Sequence, residues 1–195
     1  AHRIRRRRAV GGAYRDRIKI FGDIINSSPA YSKESDTVFI GANDGMLHAF
    51  DGTTGVERFA YIPGIINLSD LKSLADNPYD HRYLVDGPVI VSSQAQTTGK
   101  NILISSLGRG GKGIFSLDVS NPSAFTTANV LWEADGSDTH MGNVISRPFV
   151  SKVNYNNEMA VIVSNGINST SDSPALFVYG IETGTLLAKL TPTNS

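Results

Sequence analysis

A strand-rich unit recurs three times along this chain at nearly constant spacing, and no other feature narrows the possible folds as far. Its clearest copy runs from Thr37 to Pro63. The apolar run Val38-Phe39-Ile40 meets Asn43-Asp44-Gly45, a second run from Met46 to Phe50 leads to Thr53-Thr54-Gly55, and a third extends from Val56 to Tyr61. Asp-Gly between apolar runs is a hairpin signal, because tight hairpin turns need a positive φ that these residues tolerate. A period of this length in an all-β pattern predicts the blades of a propeller. Such repeats build scaffolds and binding surfaces, which moves the functional expectation away from catalysis.

Each copy opens with a short strand beside a proline: Pro29, Pro88 and Pro148, which stand 59 and 60 residues apart. The second strands are apolar and β-branched: Val38-Phe39-Ile40, Ile102-Leu103-Ile104 and Ala160 to Val163. The third are Met46 to Phe50, Gly113 to Leu117 and Ala175 to Tyr179; the fourth are Val56 to Tyr61, Val130 to Glu133 and Leu186 to Leu190. Near-continuous apolar runs suit strands covered on both faces by neighbouring sheets. The prediction is three four-stranded antiparallel blades, at about residues 24–63, 84–134 and 143–192, with an insert at 64–83 and a basic linker at 1–14. Within the insert, Asn67 to Ala75 predicts a helix of one to three turns, with a cap near Ser69. Three blades cannot close a ring, so the chain reads as part of a larger propeller.

Composition bounds the function. The 195 residues carry 40% hydrophobic and 18% charged residues, which places them among globular chains rather than disordered ones. A formal net charge of +0 gives no global field toward nucleic acid. No apolar run approaches membrane-spanning length. Cysteine is absent, which removes disulfides, thiolate metal sites and cysteine nucleophiles. Arg3 and Arg5 to Arg8 read as a solvated linker rather than a binding face.

The candidate chemistry is sparse. Gly108-Arg109-Gly110-Gly111-Lys112-Gly113 looks like a phosphate cradle but leads into a strand and lacks the spacing of one; it reads as a hairpin. Asp135-Gly136-Ser137-Asp138 is too short for a calcium loop and reads as a polar turn. Tyr79 to Gly87 gathers Asp80, His81 and Asp86, which read as a buried hydrogen-bonding network locking the insert rather than as catalytic groups. The predicted site is therefore a structural turn and docking motif: Asn43, Asp44 and Gly45 at one turn, then Ala49, Asp51, Thr54, Gly55 and Phe59. This set, Ala49-x-Asp51-x-x-Thr54-Gly55-x-x-x-Phe59, resembles the tryptophan-docking motif of quinoprotein-type propellers, with phenylalanine in the aromatic position. The second copy keeps Asp118 but has Asn121-Pro122 for Thr-Gly. The third keeps Thr183-Gly184 but has Gly180 and Ala188 at the Asp and aromatic positions. Asp51 and Thr54 are expected to brace the turn, and Phe59 to pack on a neighbouring sheet.

A longer resemblance runs through these strings. Arg15 to Arg17 with Phe21 to Pro29, Gly41 to Asp51, Tyr79 to Gly87, Leu107 to Asp118 and Asn165 to Ser169, in this order, resemble the C-terminal propeller of the PilY/PilC family of type IV pilus biogenesis factors and tip-associated adhesins. The resemblance implies a quinoprotein-like propeller of seven or eight blades. It also implies a secreted, non-enzymatic protein at the pilus tip, outer membrane or periplasm, with minor pilins or the tip complex as partners and a host or abiotic surface as target. It attaches calcium to a loop beyond Ser195; these residues themselves hold no ligand cluster of workable spacing and predict no bound cofactor or metal. Two other classes fit a propeller segment: a piece of a quinone-dependent dehydrogenase, and a periplasmic scaffold for outer-membrane protein assembly.

Overall fold

The computed structural model describes residues 14, 15, 19, 21–154 and 157–192. The basic linker expected at 1–14, with Arg3 and Arg5 to Arg8, lies almost wholly outside them. Twelve strands form three separate four-stranded sheets, each a meander in chain order. The first sheet, blade 1, holds β1 (Ala30–Ser32), β2 (Thr37–Ala42), β3 (Met46–Asp51) and β4 (Glu57–Tyr61). Blade 2 holds β5 (Val89–Val91), β6 (Ile102–Ser106), β7 (Gly113–Asp118) and β8 (Val130–Asp135). Blade 3 holds β9 (Phe149–Lys152), β10 (Met159–Ser164), β11 (Leu176–Gly180) and β12 (Leu186–Leu190). Every pairing is antiparallel. Pro29, Pro88 and Pro148 each stand one residue before a first strand, where a missing N–H removes no ladder bond.

The apolar runs are continuous because the middle blade is buried on both faces. Phe39, Leu47 and Ala49 of blade 1 share one cluster with Leu103, Phe115 and Leu117 of blade 2. The alternate residues Ile102, Ile104 and Ile114 turn the other way, into a second cluster with Val161, Val163, Phe177 and Tyr179 of blade 3. Side chains alternate across a strand, so a strand between two sheets buries both of its faces; β6 and β7 do so with apolar residues and the small buried Ser105, Ser106 and Ser116.

The fourth strand of each blade starts at a register shift: between Ala49 and Phe50, Ser116 and Leu117, and Val178 and Tyr179. The shift fixes equivalent positions. Ala49 pairs with Phe59, Ser116 with Trp132, and Val178 with Ala188. The first and third pairs are ten residues apart and the second sixteen, because blade 2 inserts two short 3-10 turns, Pro122–Ala124 and Thr127–Asn129.

The insert after blade 1 carries helix α1 (Leu68–Ser73). Its cap is Asn67 rather than Ser69: Asn67 Oδ1 accepts the Ser69 N–H at 2.9 Å and the Asp70 N–H at 3.4 Å, filling two donors that the first turn leaves unpaired. The buried network expected at Tyr79–Gly87 divides in two. Asp86 is buried and accepts from Asn26 N at 3.1 Å and Asn26 Nδ2 at 2.6 Å, tying blade 2 to the segment ahead of blade 1. His81 instead meets Asp23 at 2.7 Å on the surface. The Gly108–Gly113 loop is a 3-10 turn (Gly108–Gly110) ahead of β7, with Gly110 pressed against the Leu84 backbone.

Candidate functional site

The turn after β3 is organised by one carboxylate. Asp51 Oδ1 accepts from Thr54 N at 2.7 Å, Thr54 Oγ1 at 2.8 Å and Thr53 N at 3.1 Å. Its other oxygen takes the Arg58 guanidinium at 2.6 Å. The Arg58 bond first, then the Thr54 donors, hold the Asp51 carboxyl well below the usual carboxylate range. Gly55 closes the turn at φ +69, donating to Asp51 O at 2.8 Å, in a left-handed conformation that glycine adopts without strain. Arg58 was not among the residues singled out from sequence; its arginine sits four residues beyond Thr54 and also reaches Ser35 O and Thr37 Oγ1.

The other two copies build the turn differently. In blade 3, Gly184 takes φ +67 and donates to Gly180 O at 2.9 Å, and Thr183 Oγ1 accepts from Thr185 N at 3.2 Å. In blade 2, Asp118 accepts from Ser120 N at 3.0 Å and Ser120 Oγ at 2.5 Å, and Asn121-Pro122 opens the inserted loop instead of a glycine turn.

The aromatic positions of blades 1 and 2 each reach into the next blade. Phe59, half-buried, stacks on Phe125 of the blade 2 insert with centroids 3.9 Å apart and planes at 8°. Trp132, the chain's single tryptophan, occupies the equivalent position of blade 2 and is buried against blade 3. Its ring is inclined 30° to that of Tyr179 with centroids 5.6 Å apart, and its indole Nε1–H donates to Ile181 O at 2.9 Å. It also covers Gly184 so closely that a Cβ there would stand 2.5 Å from Trp132 Cγ. Burial, with the Asp138 charge, pushes the Tyr179 phenol up to about 12. Sequence reading passed over Trp132 because the six-residue insert shifts it out of the motif spacing; its being the only tryptophan, on a fourth strand, was the available signal. Blade 3 carries Ala188 here and presents no ring.

The remaining predicted residues gather at the β2–β3 turn. Only Gly45 takes positive φ, at +91; Asn43 and Asp44 do not. Asn43 Oδ1 instead accepts from Leu84 N at 3.0 Å, and Asp44 Oδ2 from Gly22 N at 2.9 Å. The turn thereby holds the insert and the lead-in segment together. His48, buried, stands between Asp44 (Nε2 to Oδ1 3.1 Å) and Glu57 (Nδ1 to Oε1 2.6 Å), with Phe21 packed over it at 4.4 Å. Burial alone would lower the His48 pKa; the bonds and charges of Asp44 and Glu57 outweigh it and raise it. Burial would likewise raise Asp44, but His48 and the Gly22 and Met46 N–H groups lower it. This acid–imidazole–acid set is a second group that the sequence reading left apart. Among the described residues no group of three or more His, Cys, Asp or Glu stands where it could hold a metal ion.

The geometry is that of consecutive propeller blades joined by aromatic docking, and comparison with known proteins places it. The chain matches the family described as the PilY1 beta-propeller domain over residues 8–194. The chain belongs to the PilY1 propeller family. It is similar, at 40% identity over 161 residues, to a type IV pilus biogenesis factor PilY1 homolog of Xylella fastidiosa, covering 82% of this chain and 11% of that protein. It is similar in structure to the crystal structure of the Pseudomonas aeruginosa PilY1 C-terminal domain, with a TM-score of 0.61 at 34% identity over 82% of this chain and 30% of that one. A quinohemoprotein alcohol dehydrogenase from Comamonas testosteroni shares the fold, with a TM-score of 0.53 at 18% identity over 88% of this chain and 21% of that one. That likeness speaks for quinoprotein-like architecture alone. The chain is all-β with antiparallel blades, and it spans only 11% of the length of the Xylella fastidiosa relative. Among the described residues no helix is long and apolar enough to cross a membrane.

Proposed function

We propose that this chain is a non-catalytic propeller segment of a type IV pilus assembly and surface-adhesion protein, acting through protein–protein contact. The observation that carries the reading is the PilY1 family match across nearly the whole chain, with relatives named as pilus biogenesis factors. In this reading the partners are minor pilins or the tip complex, the setting is the pilus tip, outer membrane or periplasm, and the ultimate target is a host or abiotic surface. The segment itself works without a cofactor, and calcium control belongs to a loop beyond Ser195. The architecture suits such work: side chains are spent on seams between sheets, and the polar constellations at Asp51 and Asp44 bond to the chain's own turns.

The test is genetic and biochemical together. Deleting the full open reading frame that carries these residues should abolish surface pili and attachment, and the tagged full-length protein should co-purify minor pilins. Normal piliation and attachment in the deletion strain would overturn the reading. So would a quinone-dependent dye-reducing activity that vanished with the gene.

A further inference from the structure

The segment ahead of blade 1 crosses the β2–β3 turn as a strap. Its two ends are anchored without any imidazole. Arg15 N–H donates to Ala75 O at 2.9 Å; at the far end Asn26 binds the buried Asp86, and Ser27 Oγ accepts from Gly41 N at 2.9 Å. Between the anchors Phe21 to Asp23 is held differently. Phe21 lies over the His48 ring at 4.4 Å, Gly22 N donates to Asp44 Oδ2 at 2.9 Å, and Asp23 Oδ2 meets His81 Nε2 at 2.7 Å. Gly22 runs so close to the turn that a Cβ there would stand 2.2 Å from Asp44 N. His48 is bonded on both sides: Nε2 stands 3.1 Å from Asp44 Oδ1, and Nδ1 2.6 Å from Glu57 Oε1. A neutral imidazole has one N–H and cannot donate to both carboxylates, so this geometry is that of the imidazolium. Burial opposes the charge, and the two carboxylates outweigh burial and raise the His48 pKa.

We propose that Phe21–Asp23 is a pH-sensitive strap, fastened over blade 1 while His48 is protonated and released as His48 loses its proton. After that loss only one carboxylate keeps a donor. The Glu57 side chain is 47% exposed and can turn to water; that of Asp44 is 3% exposed and cannot, so the remaining proton stays on Nε2. Phe21 then covers a neutral ring and loses its cation–π attraction. Asp44 and Glu57 are the charges that act on His48 among the described residues, with Phe50 the second ring beside it. His81 works in the same direction, because its bond to Asp23 is charge-assisted only while that imidazole carries a proton. The charges around His81 are Asp23 itself and, over the neighbouring Tyr79 and Tyr83 rings, Arg15 and Arg109. Release uncovers the β2–β3 turn while both anchors keep the segment on the molecule.

The test is amide hydrogen exchange of the full-length protein, followed in peptides spanning Phe21–Asp23 and corrected for the intrinsic rate. Protection of the strap should fall about tenfold or more between about pH 6 and pH 9, the scale of one hydrogen bond to a charged group, and the strap should exchange while β2 stays protected. His48→Gln should remove the pH dependence and leave the strap weakly protected throughout. Glu57→Gln takes away one of the charges that raise His48 and spares the Asp44 contact, so it should move the release to lower pH. Strap protection that is unchanged with pH in the parent overturns the proposal, as do strap amides that exchange only together with β2. A parental pH response in His48→Gln, or an unmoved midpoint in Glu57→Gln, overturns it as well.

Discussion

The two seams between blades solve one problem in two ways. Both bring the aromatic opposite a register shift on β3 or β7 into the next sheet. At the blade 2–blade 3 seam the receiving turn is Thr183-Gly184, its backbone is bare, and Trp132 lies flat on it with its one donor satisfied by Ile181 O. At the blade 1–blade 2 seam the receiving turn is Asn121-Pro122, which no ring can cover in that way. The inserted loop offers Phe125 instead, and Phe59 stacks ring on ring, half in solvent. That seam adds polar ties: Glu133 Oε1 accepts from Tyr61 OH at 2.5 Å and from Gly64 N at 2.8 Å. The lesson is that the receiving turn, more than the docking side chain, decides what a seam is made of.

The sharpest way to break this comparison is to remove the two aromatics. Trp132→Ala in the full-length protein should cost about 3–5 kcal/mol in urea denaturation, as for other buried large-to-small changes. Trp132→Phe should recover most of it and lose about 1 kcal/mol for the indole bond. Phe59→Ala should cost less, about 2 kcal/mol, because its ring is only partly removed from water. Equal losses at the two positions would contradict the difference between the seams. A double-mutant cycle sharpens the point: Phe59 and Phe125 should couple by about 0.5–1.5 kcal/mol, and Trp132 and Phe125 not at all.

Smaller effects follow at the polar ties. Glu133→Gln should cost about 1 kcal/mol and be non-additive with Tyr61→Phe, while leaving the loss from Trp132→Ala unchanged. Full additivity with Tyr61→Phe would show that the Tyr61–Glu133 bond does not serve the seam.

The smallest expected effect lies away from both seams and serves as their control. The folded-state pKa of His48 is raised. Its contribution is therefore complete below its unfolded value of about 6.5 and is lost as pH rises through the folded value. Asp44, lowered, has the opposite sign: its contribution is present above about 3.9 and is lost as pH falls through its folded value. Stability between pH 6 and 9 should thus decline in the parent and flatten in His48→Gln, with the Trp132→Ala loss the same at both pH values. An NMR titration placing His48 at or below the ordinary histidine value would remove the basis for this.

Much of the fold was legible because it is local. Strand identity comes from apolar runs and turn residues within a few positions, and contacts such as Asp51 to Thr54 span three residues. The docking site was less so. Nothing near Trp132 in sequence says that Ile181, 49 residues away, takes its N–H, and the insert at Pro122–Asn129 breaks the spacing by which its position would be recognised. His48 and Asp44 are four apart and look like a strand residue and a turn residue. Only β3 pairing with β4 brings Glu57 to the other side of the imidazole, and only the lead-in segment puts Phe21 over it.

By itself, then, the sequence determined three antiparallel blades, their order and their middle sheet's two apolar faces, since hydrophobic alternation and turn chemistry act over short stretches of chain. Tertiary structure alone decided which ring meets which turn and why Phe59 stacks where Trp132 lies flat. Those outcomes depend on register shifts and on the approach of backbone from another sheet, and neither distance is encoded in the spacing of residues along one strand.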